Sequence, residues 1–194
     1  MEALKRRLRR LLRKVARVRR QIRAAKTAPR ELDDEGIAWI AEWEGLPNVK
    51  SDGRAYPYND PVGYATIGYG HLIAYKPVSQ LTPTELRPWK NGLTKSDALA
   101  LLRKDLREYS EAVADSTDIP LNRNQLTALT SFTMNNGIGA WLSSTLRRKI
   151  NQNAPAWEVK SEFSRWVNAG SPPRPLPGLV RRRKGEANLF YQKP

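Results

Sequence analysis

Two carboxylates and a hydroxyl carry the chemistry most open to this chain. Glu44 stands sixteen residues before Asp60, and Asp60 stands six before Thr66 within YNDPVGYATIGYGHL, residues 58–72. Cleavage of a bond between two sugars needs a protonated carboxyl at the leaving oxygen. It also needs a second, charged carboxylate that activates water or attacks directly. A glutamate and an aspartate held across a cleft by a small glycine-rich sheet meet that need. Gly63, Gly68 and Gly70 permit tight turns and close approach of the backbone to a ligand. Taken singly, each residue has a plainer reading: Glu44 as a solvated surface glutamate, Asp60 as a turn aspartate between Asn59 and Pro61, Thr66 as a strand residue. TIGYG at 66–70 also has the composition of a potassium-filter loop. No apolar run reaches the roughly 18 residues of a membrane span, so that reading falls away.

The elements that must position these groups are legible. Asp33 and Asp34 precede a helical pattern in Ile37, Ile40 and Ala41, with Trp39 and Trp43 adding bulk, and both aspartates suit an N-cap. Gly45 is a natural stop. Glu44 therefore falls in the last turn, at the negative end of the helix dipole, which disfavours a carboxylate and favours its protonated form. Residues 53–80, rich in Gly, Tyr and Pro with short β-prone pieces, predict a small antiparallel sheet. Thr82–Pro83–Thr84–Glu85 has the spacing of a capping box, and Thr94–Lys95–Ser96–Asp97 a related start, leading into Ala98, Leu101, Leu102 and Leu106. Further helices are expected at 122–135, 143–151, 156–167 and 178–191. A helix, a small sheet and then a run of helices make an α+β domain.

At 194 residues the chain holds one domain of about 160 residues with an appendage. It has no cysteine and one histidine, His71, which excludes a disulfide framework and argues against an all-protein zinc site. The net charge of +15 is uneven: residues 1–30 hold 13 Lys or Arg against one acid, whereas residues 31–194 hold 21 against 18. Leu4, Leu8, Leu11, Val15, Val18 and Ile22 form one helical stripe, with Arg and Lys over most of the remaining surface. Pro29 then disfavours helix, and a linker is expected at 25–33. Three readings of this arm compete. A self-paired coiled coil would set like charges against one another, because its flanking positions (Lys5, Arg7, Leu12, Lys14, Arg19 and Gln21) include no acid. An anionic lipid or lipopolysaccharide surface would accept both the charge and the apolar stripe through residues 4–23. A mobile basic tail would adhere to any polyanion, nucleic acid included. The N-terminus lacks the continuous apolar core of a secretory signal.

In combination, these residues resemble the phage lysozyme family, the endolysins and muramidases of glycoside hydrolase family 24. The resemblance runs over 35–191. It includes Glu44–Gly45, the spacing from Asp60 to Thr66, TIGYGHL at 66–72 and LTKSDA at 93–98. It continues in LNRNQLTALTSF at 121–132, NNGIGA at 135–140, STLRRK at 144–149, FSRWVNAG at 163–170 and PGLVRRR at 177–183. Any one piece is weak; their order and spacing together are specific.

The resemblance implies a lysozyme-like α+β fold: a small sheet lobe, a helical lobe and a cleft between them, over 31–194, behind a basic amphipathic helix in 1–30. It implies hydrolysis of the β-1,4 bond between N-acetylmuramic acid and N-acetylglucosamine in peptidoglycan, with no cofactor or metal. Glu44 would be the general acid, Asp60 would activate water and Thr66 would help position it. Leu72, Phe132 and Thr145 would contact substrate, with core packing or a helix cap as their other reading. His71 would pair with Asp105. An arginine from 181–183 would approach Glu44 and oppose the dipole, which leaves the balance at that carboxyl open. The implied setting is host lysis by a monomer made in the cytoplasm, released by a partner such as a holin, with no specific nucleic acid bound. A lytic transglycosylase, or an envelope or nucleic-acid binder without the chemistry, stays as an alternative. One departure stands out. The family implies a shorter stretch between its glutamate and aspartate, and here 15 residues, 45–59, intervene, with 46–54 as the apparent insertion. Asp52 is therefore a rival to Asp60.

Overall fold

Asp33 opens the first helix of the globular part through its own side chain, which accepts the backbone N–H of Gly36 at 2.9 Å. The helix, α1, runs Asp34–Glu44 and ends where Gly45 takes a φ of 69°, a conformation most side chains resist. The computed structural model describes residues 28–193 together with residues 6, 7, 10–12, 14 and 15. Those seven arm residues are helical and exposed. The rest of the expected 4–23 helix, including Leu4, Leu8, Val18 and Ile22, and the linker positions 25–27 lie outside the described residues. Packing of the globular part begins before α1: Leu32 is buried, and its carbonyl accepts from Arg103 at 2.8 Å.

A three-stranded antiparallel sheet follows, β1 (Tyr58–Asn59), β2 (Ala65–Ile67) and β3 (His71–Ala74), with β2 in the middle. Thr66 stands opposite Tyr58 on one side and Leu72 on the other. The register shifts at this point, because Ala65 pairs with Ala74 while Thr66 pairs with Leu72. Ile73 is thus the extra residue of a bulge, a device that re-aims neighbouring side chains.

The helical part begins with α2 (Pro83–Leu86) and α3 (Lys95–Ser116), each opened by the reciprocal capping box expected at Thr82 and Thr94. Asn122 builds a third such box on α4 (Arg123–Asn136). Then come α5 (Ile138–Ser143), α6 (Thr145–Asn151), α7 (Ala156–Phe163) and α8 (Pro177–Tyr191). Two boundaries differ from expectation. Ser144 is extended and its hydroxyl accepts the N–H of Arg147, so the helix expected from 143 starts two residues later, behind the separate turn of α5. The helix expected to reach 167 stops at Phe163. Residues 168–175 instead form a hairpin, β4 (Asn168–Ala169) and β5 (Arg174–Pro175), as Gly170 and Pro172–Pro173 between them favour a turn.

Phe132 on α4 lies at the centre of the core. It is fully buried and meets Trp141, Phe163 and Trp166 edge to face at centroid distances of 6.3, 5.8 and 5.3 Å. The sheet is fastened to α3 by a hydrogen bond, with His71 Nδ1 2.9 Å from Asp105 Oδ2. Among the described residues no helix is long and apolar enough to cross a membrane.

Candidate active site

Glu44 is the final residue of α1, and no basic residue lies in that last turn. Its counter-charge comes from α8: Arg182 Nη2 is 2.7 Å from Glu44 Oε1, an ion pair without hydrogen-bond alignment. The cation and the negative helix end act on this carboxylate with opposite sign. Arg182 is itself held from behind. Its Nε lies 3.3 Å from Glu186 Oε1 and its Nη2 donates to Ser131 Oγ at 3.2 Å. Ser131 donates to Glu186 at 2.7 Å. Arg183 also reaches Glu186 at 2.8 Å and donates to Asn135 at 2.9 Å. Burial pushes the Glu186 carboxyl upward from its ordinary value, against the pull of Arg183 and Arg182. Burial likewise lowers the Arg183 guanidinium. The approach of α8 to α1 depends on Gly185, where a Cβ would come within 2.6 Å of the Trp43 ring.

Asp60 is fixed by the turn that it opens. Its Oδ1 accepts the N–H groups of Val62 and Tyr64 at 2.9 and 2.8 Å, while its own N–H donates to the Tyr64 carbonyl at 2.9 Å. Those bonds occupy one carboxylate oxygen and leave Oδ2 without a protein donor among the described residues. Thr66 is nearly buried and donates to the Tyr64 carbonyl at 3.1 Å. Tyr58, its partner on β1, feels both acids: burial first, then the charges of Asp60 and Glu44, raise its phenol above the ordinary value. That keeps it a hydrogen-bond donor over a wide pH range.

Glu44, Asp60, Thr66 and Leu72 line one cleft of about 690 Å³, together with Tyr58, Pro61, Tyr64 and Tyr75. A second hollow of about 840 Å³ shares Tyr69, Gly70 and Leu72 with it and runs along α3 past His71 and Asp105 to Met134. Two of the residues expected to touch substrate stand elsewhere. Phe132 is in the core described above. Thr145 opens α6, where its hydroxyl accepts from Arg148 at 3.1 Å, and it lines neither hollow. Met134 is the residue of α4 that reaches the second hollow. Two positions along a helix turn a side chain by about 200°, so the face opposite Phe132 is the one presented there. The tyrosines of the cleft also went unrecognised in the sequence. Their only signal was their density, with Tyr56, Tyr58, Tyr64, Tyr69 and Tyr75 within 20 residues.

Asp52 does not line the cleft. It accepts from the Tyr56 hydroxyl at 2.7 Å and the Arg54 N–H at 3.0 Å, and these bonds, Tyr56 first, hold its carboxyl below the usual range. Its loop is tied down by Ala55, which bridges to both Val49 and Leu93. The geometry can therefore present one carboxyl at a helix end and a second, turn-locked carboxylate to the same polymer-sized groove.

Known proteins resemble this chain in sequence and fold. The endolysin of Acyrthosiphon pisum secondary endosymbiont phage 1 is 30% identical over 161 residues, covering 82% of this chain and 97% of that protein. The endolysin of Bacillus phage PZA is 31% identical over 160 residues, and there the chain spans about half of its relative, 55%. The muramidase domain of SpmX from Asticaccaulis excentricus superposes with a TM-score of 0.67 at 31% identity, over 84% of this chain and 99% of that domain. The model of the family described as phage lysozyme matches residues 41–186, from the end of α1 to the buried glutamate of α8. The chain belongs to the phage lysozyme family, and its fold is that of a lysozyme-type hydrolase.

Proposed function

We propose that this protein hydrolyses the β-1,4 bond between N-acetylmuramic acid and N-acetylglucosamine in peptidoglycan. The observation that carries the reading is the meeting of Glu44, Asp60 and Thr66 in one open cleft. Glu44 protonates the glycosidic oxygen as the bond breaks, and Asp60 takes the proton of the incoming water through its unpaired Oδ2. Thr66, on β2 between Tyr58 and the bulged β3, orients that water. Leu72 lies along the path of the glycan. Arg182, 2.7 Å from Glu44 Oε1, fixes where that side chain sits.

The test is clearing of a purified peptidoglycan suspension by wild type and by Glu44→Gln, with the products read by mass spectrometry. Wild-type clearing to reducing muramic ends, lost in the variant, is the expected result. Anhydro ends indicate transglycosylation instead, and clearing by neither protein indicates a wall binder without the chemistry.

The basic arm is proposed to meet an anionic envelope, either acidic lipid or lipopolysaccharide. Its described residues place Leu11, Leu12 and Val15 in solvent on a helical segment beside Arg7, Arg10 and Lys14. Host lysis, after synthesis in the cytoplasm and passage to the wall with a partner's help, is the biological setting proposed for it.

A further inference from the structure

Tyr75 is an aromatic residue at the cleft for which the proposed chemistry has no use. It follows β3 and is 79% exposed, an unfavourable setting for an apolar ring. It is braced rather than covered: the ring of Tyr64 meets it edge to face, with centroids 5.4 Å apart and planes at 82°. Both rings line the cleft that holds Glu44 and Asp60. Tyr64 is also tied to the chemistry by backbone, since its N–H and carbonyl both bond Asp60, at 2.8 and 2.9 Å. The pair is thereby fixed in register with the water-activating carboxylate.

A pyranose ring presents an apolar face of C–H groups carrying slight positive charge. The face of an aromatic ring is slightly negative, and a tyrosine loses little conformational freedom when it is covered. We propose that Tyr75, braced by Tyr64, is a stacking platform for an N-acetylhexosamine ring one or more units away from the bond that is cut. Tyr75 is thus a specificity residue that grips the glycan strand and takes no part in proton transfer. The proposal rests on the reading of this cleft as a glycan site, and its test keeps the two apart.

The probe is a peptide-free glycan strand of alternating N-acetylglucosamine and N-acetylmuramic acid, titrated calorimetrically into the full chain carrying Glu44→Gln so that nothing is cut. Adding Tyr75→Ala is expected to weaken strand binding by about three- to tenfold, while Tyr75→Phe on the same background binds as before. In the cleaving protein, Tyr75→Ala should raise KM by a similar factor with kcat unchanged. Equal strand affinity with Ala and Tyr at 75 overturns the platform, whatever the catalytic result, as does a loss in kcat alone. The exposure of Tyr75 makes misfolding an unsuitable explanation, and matched melting curves check this. A wild type that cuts no strand overturns the hydrolase reading, and the platform is then decided by the binding series alone.

Discussion

Asp52 and Asp60 differ in what already surrounds them. Asp52 is consumed by its own loop, accepting from Tyr56 and Arg54, whereas Asp60 spends one oxygen on its turn and keeps the other. We expect Asp60→Asn to lose on the order of a hundredfold or more in wall clearing and Asp52→Asn to clear at the wild-type rate; the reverse outcome would transfer the role. Glu85 supplies a pH-dependent prediction. The Lys76 ammonium at 2.9 Å, then the Thr82 N–H and hydroxyl, bring its carboxyl from 4.5 to about 2. A carboxyl lowered on folding contributes stability above its unfolded value and loses it as pH falls through the folded one. The melting temperature of Glu85→Gln should therefore lie below that of wild type at pH 6, and the gap should close as pH falls from about 4.5 to about 2.

At the scale of elements, α8 places the cation beside Glu44, and two features hold α8 there. Gly185 gives room to Trp43, and a Cβ at 2.6 Å must displace that ring or separate the helices. Gly185→Ala should cost about 1–3 kcal/mol in denaturant unfolding and lower activity by moving Arg182. Glu186 faces two guanidiniums in a buried site. Its removal as Glu186→Gln leaves the buried Arg183 without an acidic partner and Arg182 with Glu44 alone, and should cost about 3–5 kcal/mol, read in the same way. The sheet is positioned separately, through the His71–Asp105 pair to α3 and through the bulge at Ile73.

Across the whole molecule, charge is divided from chemistry. The first 30 residues carry 13 of the 34 basic side chains and one acid, while the cleft is lined by residues between 44 and 75, with Arg182 of α8 against Glu44. Removing residues 1–30 should leave clearing of bare peptidoglycan unchanged and weaken killing of intact cells from outside. Equal loss of both would make the arm part of the catalytic fold. Binding of the full chain to anionic vesicles that survives high salt would identify insertion of the apolar stripe, because salt screens charge attraction and leaves burial intact.

Local rules determined much of this protein. Asp33 caps α1, Gly45 stops it at Glu44, Thr82 and Thr94 build their boxes, and the turn between Asn59 and Pro61 fixes Asp60, since each depends on neighbours only a few residues away. The α+β order and the family resemblance followed from the same short-range signals. Sequence did not distinguish Phe132 from Met134, because both are apolar and only the packing of α4 against α5, α7 and α8 decides which face is core. Nor did it disclose which arginine of 181–183 meets Glu44, that Glu186 stands behind it, or that the loop of Asp52 folds onto Leu93. Those pairings join residues far apart in the chain, and their energies depend on distance and burial that only the packed tertiary structure sets.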